Sequence, residues 1–141
     1  MRILGLDFGD RRIGVAVSDE LEITAQAIGV IERRGRRRDL EELEKIIDKY
    51  NVEKIIVGYP LRLDGTAGIQ CSKVDRFIED LVSVFPLPVI RWDESLTTFE
   101  AEELLKEAKV GLKKRKKLVD KIAAGMILQS YLDFRRKKDM S

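Results

Sequence analysis

The sequence RILGLDFGDRRIGVAVS, residues 2–18, contains two short apolar runs separated by a glycine and an aspartate. Apolar runs of this length on either side of such a turn are typical of a β-hairpin. We therefore predict strands at 2–8 and 12–18, and a third strand at about 23–31 after another polar turn. The chain thus opens with three antiparallel strands.

Helical and strand patterns alternate in the rest of the chain. Short apolar runs predict two further strands, and the first of them suits a parallel, doubly covered part of the sheet. These strands lie at 54–58 and 89–92. Apolar residues at helical spacing, and one Thr-x-x-Glu capping box, predict four helices. The helices lie at 39–50, 74–85, about 97–108 and about 116–135.

This order predicts an α/β fold with a five-stranded mixed sheet, three antiparallel strands followed by parallel strands, and helices on both faces. The length of 141 residues suits one domain over 1–141, with 136–141 as a flexible basic tail. No apolar stretch predicts a membrane span or a secretory signal, and the single Cys71 cannot form an internal disulfide. We therefore expect a cytoplasmic protein with no membrane partner.

The charged residues restrict the chemistry. The chain has no His, which excludes an imidazole base and a Ser-His-Asp triad. The net charge is only +2, yet about half of the 27 basic residues fall in three blocks, at 33–38, 113–117 and 135–138. Such blocks favour binding to a polyanion, and a solvated loop or tail is the alternative. The predicted nucleic-acid contacts in these blocks are Arg36, Arg37, Lys113, Lys114, Arg115, Lys116 and Lys117.

Several acidic residues are candidates for catalysis. Asp7 lies near the end of the first strand among apolar neighbours, where a carboxylate is costly unless it is paired, metal-bound or exposed. Capping of the hairpin turn is the alternative role, for which Asp10 is better placed. Asp93 and Glu94 follow the fifth strand, and because successive strand residues face opposite sides, only one should face the site. We favour Glu94, with Asp93 as second choice.

Asp120 completes the candidate set, on the last helix among residues predicted to be buried. Solvation on a helix surface is its alternative. If Asp7, Glu94 and Asp120 converge, their mutual repulsion requires cations, and oxygen ligands select Mg²⁺ or Mn²⁺. Two ions roughly 3.5–4 Å apart would clamp the attacking and leaving oxygens of a phosphodiester. In this hypothesis Asp7 bridges both ions and each of the other acids completes one side.

The segment GYPLRLDGTAG, residues 58–68, follows the fourth strand and could hold a phosphate, with Thr66 as the contact. It lacks the GK[ST] ending of a nucleotide-binding P-loop, so nucleotide binding is not specifically implied. A plain turn is the alternative.

Four segments in order, DFGDRRIGVAVSD, GYPLRLDG, DESLTTFEAEELL and VDKIAA, resemble the signature blocks of the bacterial YqgF family. The resemblance extends from Met1 to about Asp133. It implies an RNase H-like fold similar to that of Holliday junction resolvases, and a nuclease that processes the 5′ end of pre-16S rRNA in ribosome biogenesis. It also carries the metal-binding and catalytic roles over to Asp7, Glu94 and Asp120.

One position departs from the family pattern, because Ser95 stands where the DE block usually continues with Arg. Arg11, Arg12 and Arg91 are the residues that could supply the phosphate contact instead. The resemblance leaves pre-16S rRNA and branched DNA open as substrates, and a monomer and a homodimer open as assemblies.

Two other classes of function are alternatives to a nuclease. The first hairpin also resembles the phosphate hairpin of actin-like and sugar kinases, which clamp ATP between two lobes, and 141 residues supply only one lobe. A non-catalytic RNA-binding assembly factor would use the basic blocks alone. Metal-dependent cleavage separates this factor from a nuclease.

Overall fold

The computed structural model describes residues 1–60, 68–93 and 112–140, the last segment with side chains at 118–119 and 121–138. The elements are β1(Arg2–Phe8), β2(Arg12–Ser18), β3(Ala25–Glu32), α1(Arg36–Tyr50), β4(Val52–Tyr59), α2(Ile69–Val84), β5(Val89–Asp93) and α3(Leu112–Met140). The predicted helix at 97–108 lies outside the described residues.

The five strands form one sheet in the order β3-β2-β1-β4-β5. β1 pairs antiparallel with β2 and parallel with β4, while β3 is antiparallel to β2 and β5 is parallel to β4. This arrangement confirms the predicted mixed sheet. β1 therefore lies in the centre, where both of its faces are covered.

The two faces of the sheet carry separate cores, because alternate strand residues point to opposite sides. Leu4, Leu6 and Phe8 of β1 belong to the core that includes residues of α1 and α2. Ile3, on the other face, belongs to the core beneath α3, together with Ile127 and Leu128. Helices thus cover both faces, as predicted.

All three described helices begin earlier than predicted, and α2 begins at Ile69 rather than at 74. α1 starts at Arg36, directly after Gly35 at φ 118°, so the second half of the first basic block forms its first turn. α3 starts at Leu112, so the lysine block belongs to the helix rather than interrupting it. Lys and Arg are good helix formers, and an apolar periodicity cannot show a helical turn made only of them. α3 also continues to Met140, beyond the predicted end at about 135.

The strands are longer than predicted at several ends. β4 spans Val52–Tyr59, and β5 includes Asp93, which the sequence had placed after the strand. In the described ranges no helix combines the length and the apolar character that crossing a bilayer requires.

Candidate active site

Asp7 is the penultimate residue of β1 and lies opposite Gly14 of β2. Strand alternation places it on the same face as Ile3, beneath α3, whereas the next residue, Phe8, belongs to the core of the other face. The Asp7 side chain is half-buried. The Asp7 carboxylate therefore lies at the end of the central strand, on the face of the sheet that α3 covers.

The packing of α3 on β1 depends on Gly5. A Cβ atom at this position would lie 2.7 Å from the Leu128 Cβ and 3.3 Å from the Ala124 carbonyl oxygen. Carbon atoms in contact are normally 3.5–4.0 Å apart, so no other residue fits here without displacing the helix. Glycine at this position therefore allows α3 to pack directly on the backbone of β1.

α3 keeps a regular register with the strands beneath it. The Gln129 side chain accepts a hydrogen bond from the Ala25 amide at 2.8 Å, and one turn earlier Gly125 packs against Ala27. Four helical residues advance about 6 Å and two strand residues about 6.6 Å, so one helical turn matches two strand positions.

The same register applies over β1. Ala124 and Leu128 contact the position of Gly5, and Asp7 is two residues further along the strand. One turn back from Ala124 is position 120, so the helix backbone there lies at the level of Asp7. The side chain of Asp120 is outside the described residues, and its predicted role stays a prediction.

At the end of β5, Asp93 lies on the face of the sheet opposite that of Asp7. Trp92 belongs to the α3 face, where its ring lies 5.3 Å from that of Tyr131. Arg91 faces the other side, where its Nη1 lies 3.1 Å from Asp75 Oδ1 of α2. Asp93 has the same parity as Arg91 and so belongs to the face opposite Asp7. Glu94, the favoured candidate, lies outside the described residues.

The side chains described in 1–60, 68–93 and α3 contain no group of three acidic or cysteine residues that could hold a metal ion. Of the three predicted ligands, Asp7 is the one whose side chain the structure describes. The metal site therefore stays a prediction.

The hairpin turn that follows Asp7 is held from two sides. The Gly9 amide donates to the Arg12 carbonyl at 2.9 Å, and a Cβ at Gly9 would lie 2.9 Å from that same oxygen. Arg33 Nη1 donates to the carbonyls of Gly9 at 3.1 Å and Asp10 at 2.9 Å, and its guanidinium carbon lies 4.4 Å from the centre of the Phe8 ring. The first basic block thus supplies an arginine that fixes the end of β1. Sequence analysis did not single out this role.

Several predicted nucleic-acid contacts make ion pairs. Arg12 forms an ion pair at 3.2 Å with Glu32, its cross-strand neighbour. Only 17% of the Arg12 side chain is exposed, so this residue mainly joins β2 to β3. Arg37 is paired as well, but 92% of its side chain is exposed. Arg91 also lies over the Tyr59 ring. Arg11 is exposed in the turn. Side chains outside the described residues are those of Thr66, Lys113, Lys114, Arg115, Lys116 and Lys117.

A mixed sheet with three antiparallel strands before the parallel ones, covered by helices on both faces, is the RNase H-like fold. The fold is similar to that of T. thermophilus RuvC in complex with a Holliday junction substrate, with a TM-score of 0.58, 15% identity and 96% of each chain covered. It is also similar to a Fowlpox virus resolvase bound to Holliday junction DNA, with a TM-score of 0.55, 17% identity, and coverage of 94% of this chain and 97% of that one.

Residues 1–134 match the family model described as RuvX, Holliday junction resolvase, and the chain belongs to this family. A relative from Syntrophus aciditrophicus is 56% identical over 133 residues, which is 94% of this chain and 89% of the relative. One from Halothermothrix orenii is 53% identical over 137 residues, 97% and 98% of the two chains. Both relatives carry the name of a candidate pre-16S rRNA nuclease. The family predicted from the four motifs is thereby confirmed, and it is a family of nucleases.

Proposed function

We propose that this protein is a metal-dependent nuclease that processes the 5′ end of pre-16S rRNA during ribosome biogenesis. The observation that carries the proposal is the half-buried Asp7 at the end of β1, at the level of position 120 on the closely packed α3. The names of the curated relatives support the choice of RNA. We propose a cytoplasmic location because the substrate is made there and the single cysteine, Cys71, is free.

The donor set fits hard divalent cations. Asp7, Glu94 and Asp120 offer only carboxylate oxygens, and the chain has no His, so Mg²⁺ or Mn²⁺ suits these residues better than zinc does. When bound, two such ions would activate a water molecule and neutralise charge on the phosphoryl oxygens.

The chain's own residues have three tasks in this scheme. The Asp7 carboxylate would be a ligand of the ions, and the Arg33-bound turn beside it keeps the end of β1 in place. Gly5 keeps α3 close enough for position 120 to contribute. Arg11 and the lysines of 113–117 attract the phosphates of the substrate without reading its bases.

The test is the cleavage of a 5′-extended 16S rRNA precursor by the wild type and by Asp7→Asn, with Mn²⁺ or Mg²⁺ and without metal. Asp7→Asn should remove metal-dependent cleavage while its thermal unfolding stays cooperative. The matched control is Asp93→Asn, an acid on the opposite face of the sheet, which should keep its activity. Full activity of Asp7→Asn would refute the role of Asp7, and a loss confined to Asp93→Asn would move the site to the other face.

A four-way DNA junction is the second candidate substrate, because the similar folds include resolvases bound to such junctions. Parallel assays on matched RNA and DNA junction substrates separate the two. Junction cleavage without RNA cleavage would replace rRNA as the substrate. Symmetric junction cleavage calls for a homodimer, whereas a monomer suffices for trimming an RNA end. Tight RNA binding with no metal-dependent cleavage would instead favour a non-catalytic assembly factor.

A further inference from the structure

A cavity of about 480 Å³ lies on the face of the sheet opposite Asp7, between the start of α1 and the exposed side of α2. Phe8 forms part of its wall, so the cavity adjoins the same end of β1 as the candidate active site. Four cationic side chains from separate parts of the chain line it, namely Arg33, Arg36, Lys73 and Arg76. Three carboxylates, those of Asp10, Asp39 and Asp80, also line the cavity, so its wall carries one net positive charge, near but distinct from the proposed ligands.

Three of these cations can turn towards a ligand. Arg36 pairs with Asp80 at 2.8 Å and Lys73 pairs with Asp10 at 3.0 Å, and both cations are well exposed, at 62% and 46%. Exposed ion pairs are weak, so a phosphate can replace the carboxylate at little cost. Arg76 is exposed and, among the residues that the structure describes, has no ion-pair partner. Arg33 is held by the hairpin turn and pairs with the buried Asp39 at 3.8 Å, so most of its charge is already balanced and the binding of a phosphate depends on the other three cations.

The chemistry of the wall favours a phosphate over a nucleobase. The Phe8 ring in the wall of the cavity is already stacked on Phe77 at 4.3 Å and covered by the Arg33 guanidinium at 4.4 Å. A base would have to displace one of these contacts in order to stack. Arginine and lysine, in contrast, bind phosphate oxygens directly.

We infer that this cavity is a second phosphate-binding site, which holds the backbone of the same nucleic-acid strand that the active site cuts. The inference rests on the proposed function, since the strand must also reach Asp7. Asp10, on the rim of the cavity, is three residues from Asp7, which is at most about 10 Å of chain. A single strand spans this distance with a few nucleotides.

The test compares Lys73→Ala/Arg76→Ala with a control that loses the same charge elsewhere, Lys45→Ala/Lys49→Ala on the exposed side of α1. Affinity for a single-stranded RNA with a 5′ extension is measured in EDTA, which prevents cleavage, between 50 and 200 mM salt. Each phosphate contact on a single strand adds about 0.7 to the slope of log affinity against log salt. The double variant should therefore have a slope smaller by about 1.4, and the wild type should lose about sevenfold more affinity over this range.

A slope equal to that of the wild type, or an equal decrease in the control, would overturn the inference. Both variants replace exposed side chains, and the single variant Arg76→Glu provides an independent check if the double variant unfolds. A further assay adds inorganic phosphate and measures the melting temperature. Stabilisation of the wild type by phosphate with unchanged RNA slopes would mean that the cavity binds a free anion, which also overturns the inference. Metal-dependent cleavage and its loss in Asp7→Asn are separate readouts, so the two proposals can fail independently.

Discussion

The close contact at Gly5 makes Gly5→Ala the most informative substitution in the protein. The new Cβ would lie 2.7 Å from the Leu128 Cβ, so β1 and α3 must separate by about 1 Å to restore a normal carbon contact. Truncation of Leu128 to Ala would not relieve the contact, because the atom concerned is its Cβ. The strain thus falls on the backbone of the two elements.

Two opposing effects determine how much this separation destabilises the protein. Overpacking in a core typically costs about 1–3 kcal/mol, and the intrinsic gain of alanine over glycine in a strand, about 0.5–1 kcal/mol, offsets part of it. A net loss of about 1–2 kcal/mol lowers the melting temperature of a domain of this size by roughly 3–10 °C. Because the same movement draws position 120 away from Asp7, we expect metal-dependent cleavage to fall by about 100-fold.

The control for this prediction is Gly125→Ala on α3. A Cβ there would lie 3.6 Å from the Ala27 Cβ, an ordinary contact, and alanine stabilises a helix interior by about 0.5–1 kcal/mol relative to glycine. Thermal unfolding and cleavage rates of the two variants are compared with the wild type. A Gly5→Ala protein as stable and as active as the wild type would refute the packing argument. A destabilised but fully active variant would refute the link between helix spacing and the site.

Two further predictions concern the end of β2 and the turn after it. The Ser18 hydroxyl, 1% exposed, accepts a hydrogen bond from the Ile3 amide at 2.8 Å. Ser18→Ala should therefore lower the free energy of unfolding by about 1–3 kcal/mol, measured by urea denaturation. A loss below about 0.3 kcal/mol would contradict this prediction. Hydrogen bonds from the Thr24 and Ile23 amides lower the pKa of Asp19 below its usual value of 3.8. Its contribution to stability is therefore present above that value and lost as the pH falls through the folded-state pKa. Asp19→Ala should melt below the wild type at pH 7, and the difference should shrink in acid; a difference that stays constant with pH would exclude Asp19 as its source.

The sequence predicted the architecture because its signals are local. The glycine and aspartate between two apolar runs determine the hairpin, and the periodicity of α1 and α2 determines which helix faces are buried. The start of α1 at Arg36 was not predictable in this way, since its first turn is made of exposed arginines with no apolar pattern. Helix formation there follows from residue propensity and from Gly35 before it.

The candidate site was predictable only in part, for a related reason. Alternation along a strand predicts that Asp93 and Glu94 face opposite sides, but the register with β4 and the contacts of Trp92 are needed to assign Asp93 to the face away from Asp7. Gly5 was not singled out, because a glycine in an apolar strand has no local sign of the helix that will cover it. Lys73 and Arg76 lie outside the three basic blocks of the sequence, and only the fold brings them beside the start of α1.

Asp7 and Phe8 are neighbours in the chain, yet they belong to opposite faces of the sheet, and this limits the stiffness of any ligand that reaches both. Duplex DNA bends smoothly only over lengths comparable to its persistence length of about 50 nm, whereas turning around the end of one strand requires a reversal within about 1 nm. An unpaired strand or the branch point of a junction can make that turn. A nucleic acid that contacts both faces of the sheet must therefore be unpaired, or branched, where it passes the end of β1.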